Sequence, residues 1–272
     1  MILLNSKKRL ATLLIVLIFG IIIFILDLGT TGLVDETPPL FAAAARAMSE
    51  SGDWLTPKVN GIFRFDKPPL IYWLMGFFYS LPKIEIWDSL GTLSARLPSS
   101  LGSLFLMLMI ADTLFCWPQK DNKQFLTPIV GSLGFALSPL IIIWSRTAVS
   151  DALLTGTLGI SLLLFWRRMA SENNDKCIAA WAFLGFAILT KGPVAFVLAT
   201  LTITFFLIVQ KDWRSLLYKI NPKKGFLITI LISVPWYVLE LLKEGKPFWD
   251  NFFGYHNFQR YTSVVNNHSE PI

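Results

Sequence analysis

Charge is what this sequence has least of. Only 15% of its 272 residues are Asp, Glu, Lys or Arg, against roughly 25% in soluble domains, while 54% are hydrophobic. That balance excludes a water-soluble enzyme, because the apolar residues exceed what one core can bury. Cysteine is almost absent too. Cys116 and Cys177 each close or open an apolar run without paired or metal-like spacing, which argues against a disulfide scaffold and against a cysteine metal site. There is no G-x-x-x-x-G-K-[ST] loop, no G-x-G-x-x-G, no H-E-x-x-H and no D-x-D, so a soluble nucleotide or nucleotide-sugar donor is disfavoured. The net charge of +6 is split among short loops, and nucleic acid is not the expected partner.

What is abundant is uncharged sequence. Runs at Leu10 to Leu26, Phe125 to Ser145 and Gly192 to Gln210 carry no charge and are near the length a bilayer requires. The first follows Lys7-Lys8-Arg9 and reads as a transmembrane helix rather than a signal peptide, since the run is long and no A-x-A site follows promptly. Further spans are expected near 97–117, 125–145, 152–167, 177–190, 192–210 and 225–242, about seven in all.

Charge sets their direction. With the N-terminus cytoplasmic, the inner segments hold thirteen basic residues, at 7–9, 120–123, 167–176 and 211–224, against four acids, Asp121, Glu172, Asp175 and Asp212. The outer segments are slightly acidic, as the positive-inside bias requires. The uncharged aromatic stretch Pro68 to Pro82 could cross as an eighth span, but that would turn every later basic loop outward. It reads instead as a helix lying at the membrane surface. A second surface helix is expected over Pro38 to Glu50, with Thr37 as N-cap, Pro38 in the first turn and Gly52 at its end.

The expected fold class is therefore all-α: a polytopic transmembrane helix bundle of about seven spans, with outer-face juxtamembrane helices in a first extracytoplasmic loop at 27–96. The expected location is the plasma (inner) membrane, multi-pass, among membrane lipids.

Reactive groups then fall on the outer side. Asp35, Glu36, Arg64, Asp66, Lys67, Asp151, Lys191, His256 and Arg260 all lie at or just beyond outer span ends. Asp35-Glu36 either complements the dipole of the following helix or supplies a general base, which is worth roughly a hundredfold to ten-thousandfold in rate. Lys67, ahead of Pro68, is placed at a helix start that suits a phosphate, unless it only reaches for lipid headgroups. Asp151 either caps a span or joins a site, and Lys191 either snorkels or binds anions. If the segment is helical, His256 and Arg260 share a face. Arg260 is then a second phosphate clamp, and His256 a hydrogen-bond donor or a metal ligand completed by carboxylates such as Asp66.

Asp35-Glu36, Ser51-Gly52-Asp53-Trp54-Leu55, Asn60-Gly61 and Asp66-Lys67-Pro68-Pro69-Leu70-Ile71-Tyr72-Trp73-Leu74 resemble the N-terminal half of bacterial aminoarabinose lipid A transferases and their protein O-mannosyltransferase relatives. The likeness continues through Ser94 to Ser99, Arg146 to Asp151, Leu189 to Pro193 and His256 to Arg260. These are C-type integral-membrane glycosyltransferases. The resemblance implies one glycosyltransferase domain over 1–272. It would move a sugar from a polyprenyl phosphate carrier to a lipid A-like lipid or a protein at the extracytoplasmic face. It further implies a catalytic role for Asp35, donor-phosphate contacts from Lys67 and Arg260, and a second acidic position near the pocket at Asp151. On their outer-face position, Glu36 and Asp151 join Asp35 as catalytic candidates and Lys191 and Arg64 join the donor-phosphate contacts; no cofactor is required, a divalent metal at Asp66 and His256 being the alternative. Asp66 stands where many relatives carry Glu. The chain stops at Glu270-Pro271-Ile272, where relatives continue, so a truncated product is expected. The competing readings are a transporter or lipid flippase, and a non-catalytic subunit that binds polyprenyl lipid. Asp112 is the clearest charge inside an apolar run.

Overall fold

A computed structural model describes residues 2–82, 88, 90–117, 125–170 and 177–259, with side chains from residue 6 to residue 256. Among these residues the chain is helical apart from turns and a two-stranded antiparallel ribbon, β1 (Lys58–Val59) and β2 (Ile62–Phe63). The ribbon turns at Asn60 and Gly61, both at positive φ, as a tight hairpin requires.

Helix α1 (Ile2–Phe24) holds the first apolar run. Helix α2 (Thr37–Ser51) ends as expected at Gly52, whose φ of 74° lets its N–H reach the Met48 carbonyl. Its start differs. Thr37 is already helical and Glu36 is the cap residue, with no side-chain cap bond. Helix α3 (Leu70–Ser80) begins two residues later than Pro68. Pro69 forces the residue before it out of the α region, so the first helical bond runs from the Trp73 N–H to the Pro69 carbonyl, at 2.8 Å. Lys67 therefore lies ahead of the helix rather than on its first turn.

Helix α4 (Leu93–Cys116) follows. The run expected as one element at 125–145 is broken into α5 (Leu126–Ala136) and α6 (Pro139–Ser145), bent by 68°. Pro139 again supplies the reason, holding Ser138 extended at ψ 126°. Next come α7 (Ser150–Ala170), α8 (Ile178–Lys191), α9 (Pro193–Val209), a short amphipathic α10 (Trp213–Ile220) and α11 (Pro222–Glu244). A three-residue turn, Lys246–Phe248, leads into a π-helical segment, Trp249–Gln259.

Side-chain bonds define the two ends of the bundle. At one end Asp112 of α4 pairs with Arg9 of α1 at 2.6 Å and with Arg167 of α7 at 2.8 Å, Trp117 packs on Trp166, and the Trp181 indole donates to the Ile220 carbonyl. At the other end Arg146 donates to the Ile23 and Leu26 carbonyls. There Ser99 and Ser100 of α4 bond the Val149 and Ser145 carbonyls, and Tyr237 of α11 bonds the Ile188 carbonyl. By these bonds α1, α8 and α11 run one way through the bundle and α4 and α7 the other. By length and composition, α4 and α11 are long and apolar enough to cross a membrane, and α5 with α6 make a third if the bent pair counts as one span. Leu14, Ile18, Phe105, Leu201, Phe205 and Leu231 are among many large apolar side chains left exposed, a surface that water does not favour.

Helices α4 and α7 meet at glycine. A Cβ on Gly156 would lie 2.5 Å from the Gly102 carbonyl oxygen, backbone that has no way to rotate aside. Small residues at such crossings let helices touch. Gly156→Ala is expected to cost about 1–3 kcal/mol by overpacking. A lowered thermal midpoint in detergent checks this, and an unchanged midpoint contradicts the close contact.

Candidate active site

Among the described residues, candidate groups lie at the Asp151 end of the bundle, and local chemistry explains how they are held. Buried Arg96, near the start of α4, donates to the Leu28 and Gly32 carbonyls at 2.7 and 2.6 Å and to the Thr31 hydroxyl at 2.5 Å. That pins the chain just ahead of Asp35. Leu33 packs on the cluster formed by Phe41, Tyr72, Val149 and Leu153, so the loop sits against both α2 and the start of α7. Asp35 itself is exposed, with φ at 77°. This is a left-handed conformation uncommon outside glycine but tolerated by Asp. One of its carboxylate oxygens accepts the Glu36 N–H at 2.7 Å, which leaves acceptor capacity on the carboxylate. Glu36 precedes the first turn of α2, where the helix dipole favours a carboxylate.

The segment between β2 and α3 is built around a closed ring of polar groups. Arg64 donates from Nη2 to Asp66 Oδ2 at 2.8 Å and from Nε to the Tyr72 hydroxyl at 3.1 Å, and that hydroxyl donates to Asp66 Oδ1 at 3.0 Å. Burial and the nearby Asp66 charge push the Tyr72 phenol well above its ordinary value, so it stays protonated and can donate. Lys67 bonds the Asp66 carbonyl at 3.0 Å. Between them, Phe65 is buried against Leu189, Trp236, Phe248 and Phe252. Phe65 thus ties this segment to the end of α8, to α11 and to the C-terminal π segment. Leu70 and Trp73 border both apolar clusters.

Asp151 and Lys191, forty residues apart, form an ion pair at 2.5 Å. Asp151 also lines a cavity of about 260 Å³ between α4, α6 and α7, together with Ser103, Leu140, Trp144, Leu154 and Thr155. His256 contacts Tyr255 edge to face, with ring centroids 4.9 Å apart. Its backbone is π-helical, with bonds five residues apart, so the four-residue spacing to Arg260 does not by itself put the two on one face. Arg260 lies outside the described residues.

A metal fits this site poorly. Both oxygens of Asp66 accept from Arg64 and Tyr72, and among the described residues no group of three His, Cys, Asp or Glu could hold an ion. Asp112, the clearest charge inside an apolar run, is matched by Arg9 and Arg167 at the opposite end of the bundle.

One network was not legible as a site. Asp53 accepts from Lys58 at 3.2 Å and from Lys243 at 3.0 Å, while the Thr56 hydroxyl donates to fully buried Glu240 at 3.1 Å. Trp73 and Trp236 donate to the Trp54 and Leu55 carbonyls. The bonds to Trp236, Glu240 and Lys243 fasten the first loop to α11, across nearly two hundred residues of sequence that no local pattern bridges. Desolvation opposes ionisation of Asp53, yet the bonds from Lys243, Lys58 and the Leu55 and Thr56 amides outweigh it and hold the carboxyl at about 2. An unfolded Asp titrates near ~3.9, so this contribution is complete above that value and disappears as pH falls towards 2. The pair is well hydrated and worth up to about 1 kcal/mol. Asp53→Asn is expected to flatten the fall in thermal midpoint on going from neutral to acidic buffer. An unaltered pH profile counts against the network.

Comparison with known proteins matches residues 66–238 to the model of the dolichyl-phosphate-mannose-protein mannosyltransferases. The chain belongs to this family. Among its relatives, a protein of Aquifex aeolicus is 30% identical over 227 residues, 83% of this chain and 48% of that one. An undecaprenyl phosphate-alpha-4-amino-4-deoxy-L-arabinose arabinosyl transferase of Pseudomonas fluorescens is 26% identical over 97% of this chain and 46% of its own length. The crystal structure of ArnT from Cupriavidus metallidurans bound to undecaprenyl phosphate superposes with a TM-score of 0.79 at 25% identity, covering 92% of this chain and 45% of that one. The chain thus spans about half the length of the relatives it matches. For a mannosyltransferase-family member, the matched stretch includes the Asp66–Lys67 segment, Asp151 and Lys191, but starts after Asp35.

Proposed function

We propose that this chain forms the donor side of a membrane glycosyltransferase, one that moves a sugar from a polyprenyl phosphate to an acceptor hydroxyl or phosphate on a lipid A-like lipid or a protein. In this reading the bundle crosses the inner membrane seven times with its N-terminus cytoplasmic, and α2 and α3 lie at the outer face. The observation that carries it is that chain neighbours of Asp35, Lys67, Asp151 and Lys191 (Leu33, Phe65, Leu70, Leu153 and Leu189) pack into two adjoining apolar clusters, with Asp151 paired to Lys191. Family membership and the undecaprenyl phosphate bound by the Cupriavidus protein support a lipid-linked donor.

The chemistry follows from the groups present. Asp35 accepts the proton of the acceptor hydroxyl as that oxygen attacks the anomeric carbon. The carbon–oxygen bond to the carrier breaks, and the departing polyprenyl phosphate keeps the electron pair as a stable anion, so no strong general acid is needed. Lys67 and Arg260 meet its developing charge. Asp151, paired to Lys191, fixes a cation beside the apolar cavity. The test is incubation of membranes containing the chain with radiolabelled undecaprenyl-phosphate sugar. Label should move to a new acceptor. Label that stays on the carrier, with the chain folded, removes the enzyme reading.

A further inference from the structure

We infer that Arg64 is a positioning residue rather than a phosphate ligand: with Tyr72 it locks the Asp66 carboxylate and so sets the backbone from which Lys67 reaches the donor. The inference rests on the donor-phosphate reading of Lys67 and deepens it.

The geometry gives the Arg64 side chain three partners. Its guanidinium bonds Asp66 at 2.8 Å and the Tyr72 hydroxyl at 3.1 Å, and lies over the Phe41 ring with its carbon 5.2 Å from the centroid. Phe41 in turn stacks on Tyr72, centroids 5.2 Å apart and planes 19° from parallel, and both aromatic side chains are buried. The guanidinium is thus held by a carboxylate, a phenol and an aromatic face at once. Its main chain is tied as well, the Arg64 N–H bonding the Pro57 carbonyl at 2.9 Å.

Charge points the same way. Arg64 and Asp66 neutralise one another at contact distance, with side chains only 16% and 17% exposed, so the pair offers an incoming phosphate little net attraction. Lys67 bonds the carbonyl of the residue whose side chain the ring immobilises. Fixing both oxygens of Asp66 fixes that peptide, and a fixed peptide presents Lys67 with less conformational freedom to lose on binding.

The test uses the purified chain in nanodiscs, with undecaprenyl phosphate as probe, comparing wild type, Arg64→Gln, Asp66→Asn and the double variant, with Tyr72→Phe as a milder break in the same ring. Two readouts are taken: affinity for the probe, and amide hydrogen exchange over residues 63–68. If Arg64 acts through Asp66, each single change weakens binding by about tenfold, as loss of a charge-assisted bond should, and the double variant is no worse than either single, the mark of coupled residues. Exchange over 63–68 rises to a similar extent in all three. Two binding results overturn the inference. One is tighter binding in Asp66→Asn, as expected when a freed Arg64 meets phosphate directly; the other is multiplication of the two losses in the double variant. Failure of the wild-type chain to bind the probe refutes the donor reading instead, and the exchange data then decide the ring alone: unchanged exchange in every variant overturns it.

Discussion

Asp35→Asn should lower sugar transfer by roughly a hundredfold to ten-thousandfold, the usual worth of a general base, or about 3–5 kcal/mol of transition-state free energy. The substitution is well suited to the question because it leaves nearly everything else in place. Asn accepts the Glu36 N–H through its amide oxygen as Asp35 does through its carboxylate, and Asn, like Asp, tolerates the left-handed conformation seen at φ 77°. The side chain is exposed, so stability should change by less than ~0.5 kcal/mol. Single-turnover transfer from undecaprenyl-phosphate sugar is the measurement, run beside carrier affinity. The expected pattern is lost transfer with unchanged affinity. Retained transfer would mean that the acceptor proton goes elsewhere.

Lys67→Met should act on the other half of the reaction. Losing a charged contact to phosphate costs about 1.5–3 kcal/mol, which is roughly ten- to a hundredfold or slightly more in affinity. Because the same contact strengthens as the carrier departs with its negative charge, the rate of the chemical step should fall too. The dependence of binding on salt should also become shallower, since one fewer charge is screened. Titration of undecaprenyl phosphate at two ionic strengths separates this from damage to the fold. Equal affinity and equal salt dependence in the variant would remove Lys67 from the donor site.

How much of this could be read in advance depended on whether the cause was local. The C-terminus of α2 was legible because Gly52 adopts a positive φ for reasons written in its own residue type. Long apolar runs marked out the long helices, because hydropathy is a property of the local sequence. The same sequence also held the break at Ser138–Pro139 and the late start of α3 after Pro69, but uninterrupted hydropathy masked both. Pairings across the bundle were not legible. Asp151 and Lys191 could be assigned to one face by counting charges, whereas their contact could not. Lys243 with Asp53, and Arg64 with Tyr72, depend on how helices dock rather than on spacing. Arg64 carries the charge of a phosphate ligand, and its bonds to Asp66 and Tyr72 appear only in the folded chain.

The central claim is that residues far apart in sequence meet at one outer end of the bundle. Cysteine accessibility tests it most directly, because Cys116 and Cys177 are the only native thiols and can be replaced by serine. Lys67→Cys, Asp151→Cys and Arg214→Cys are then introduced singly and exposed to a membrane-impermeant maleimide in intact cells and in inverted vesicles. The account predicts that positions 67 and 151 react in intact cells and position 214 only in inverted vesicles. Labelling of 67 and 151 from opposite sides would contradict it.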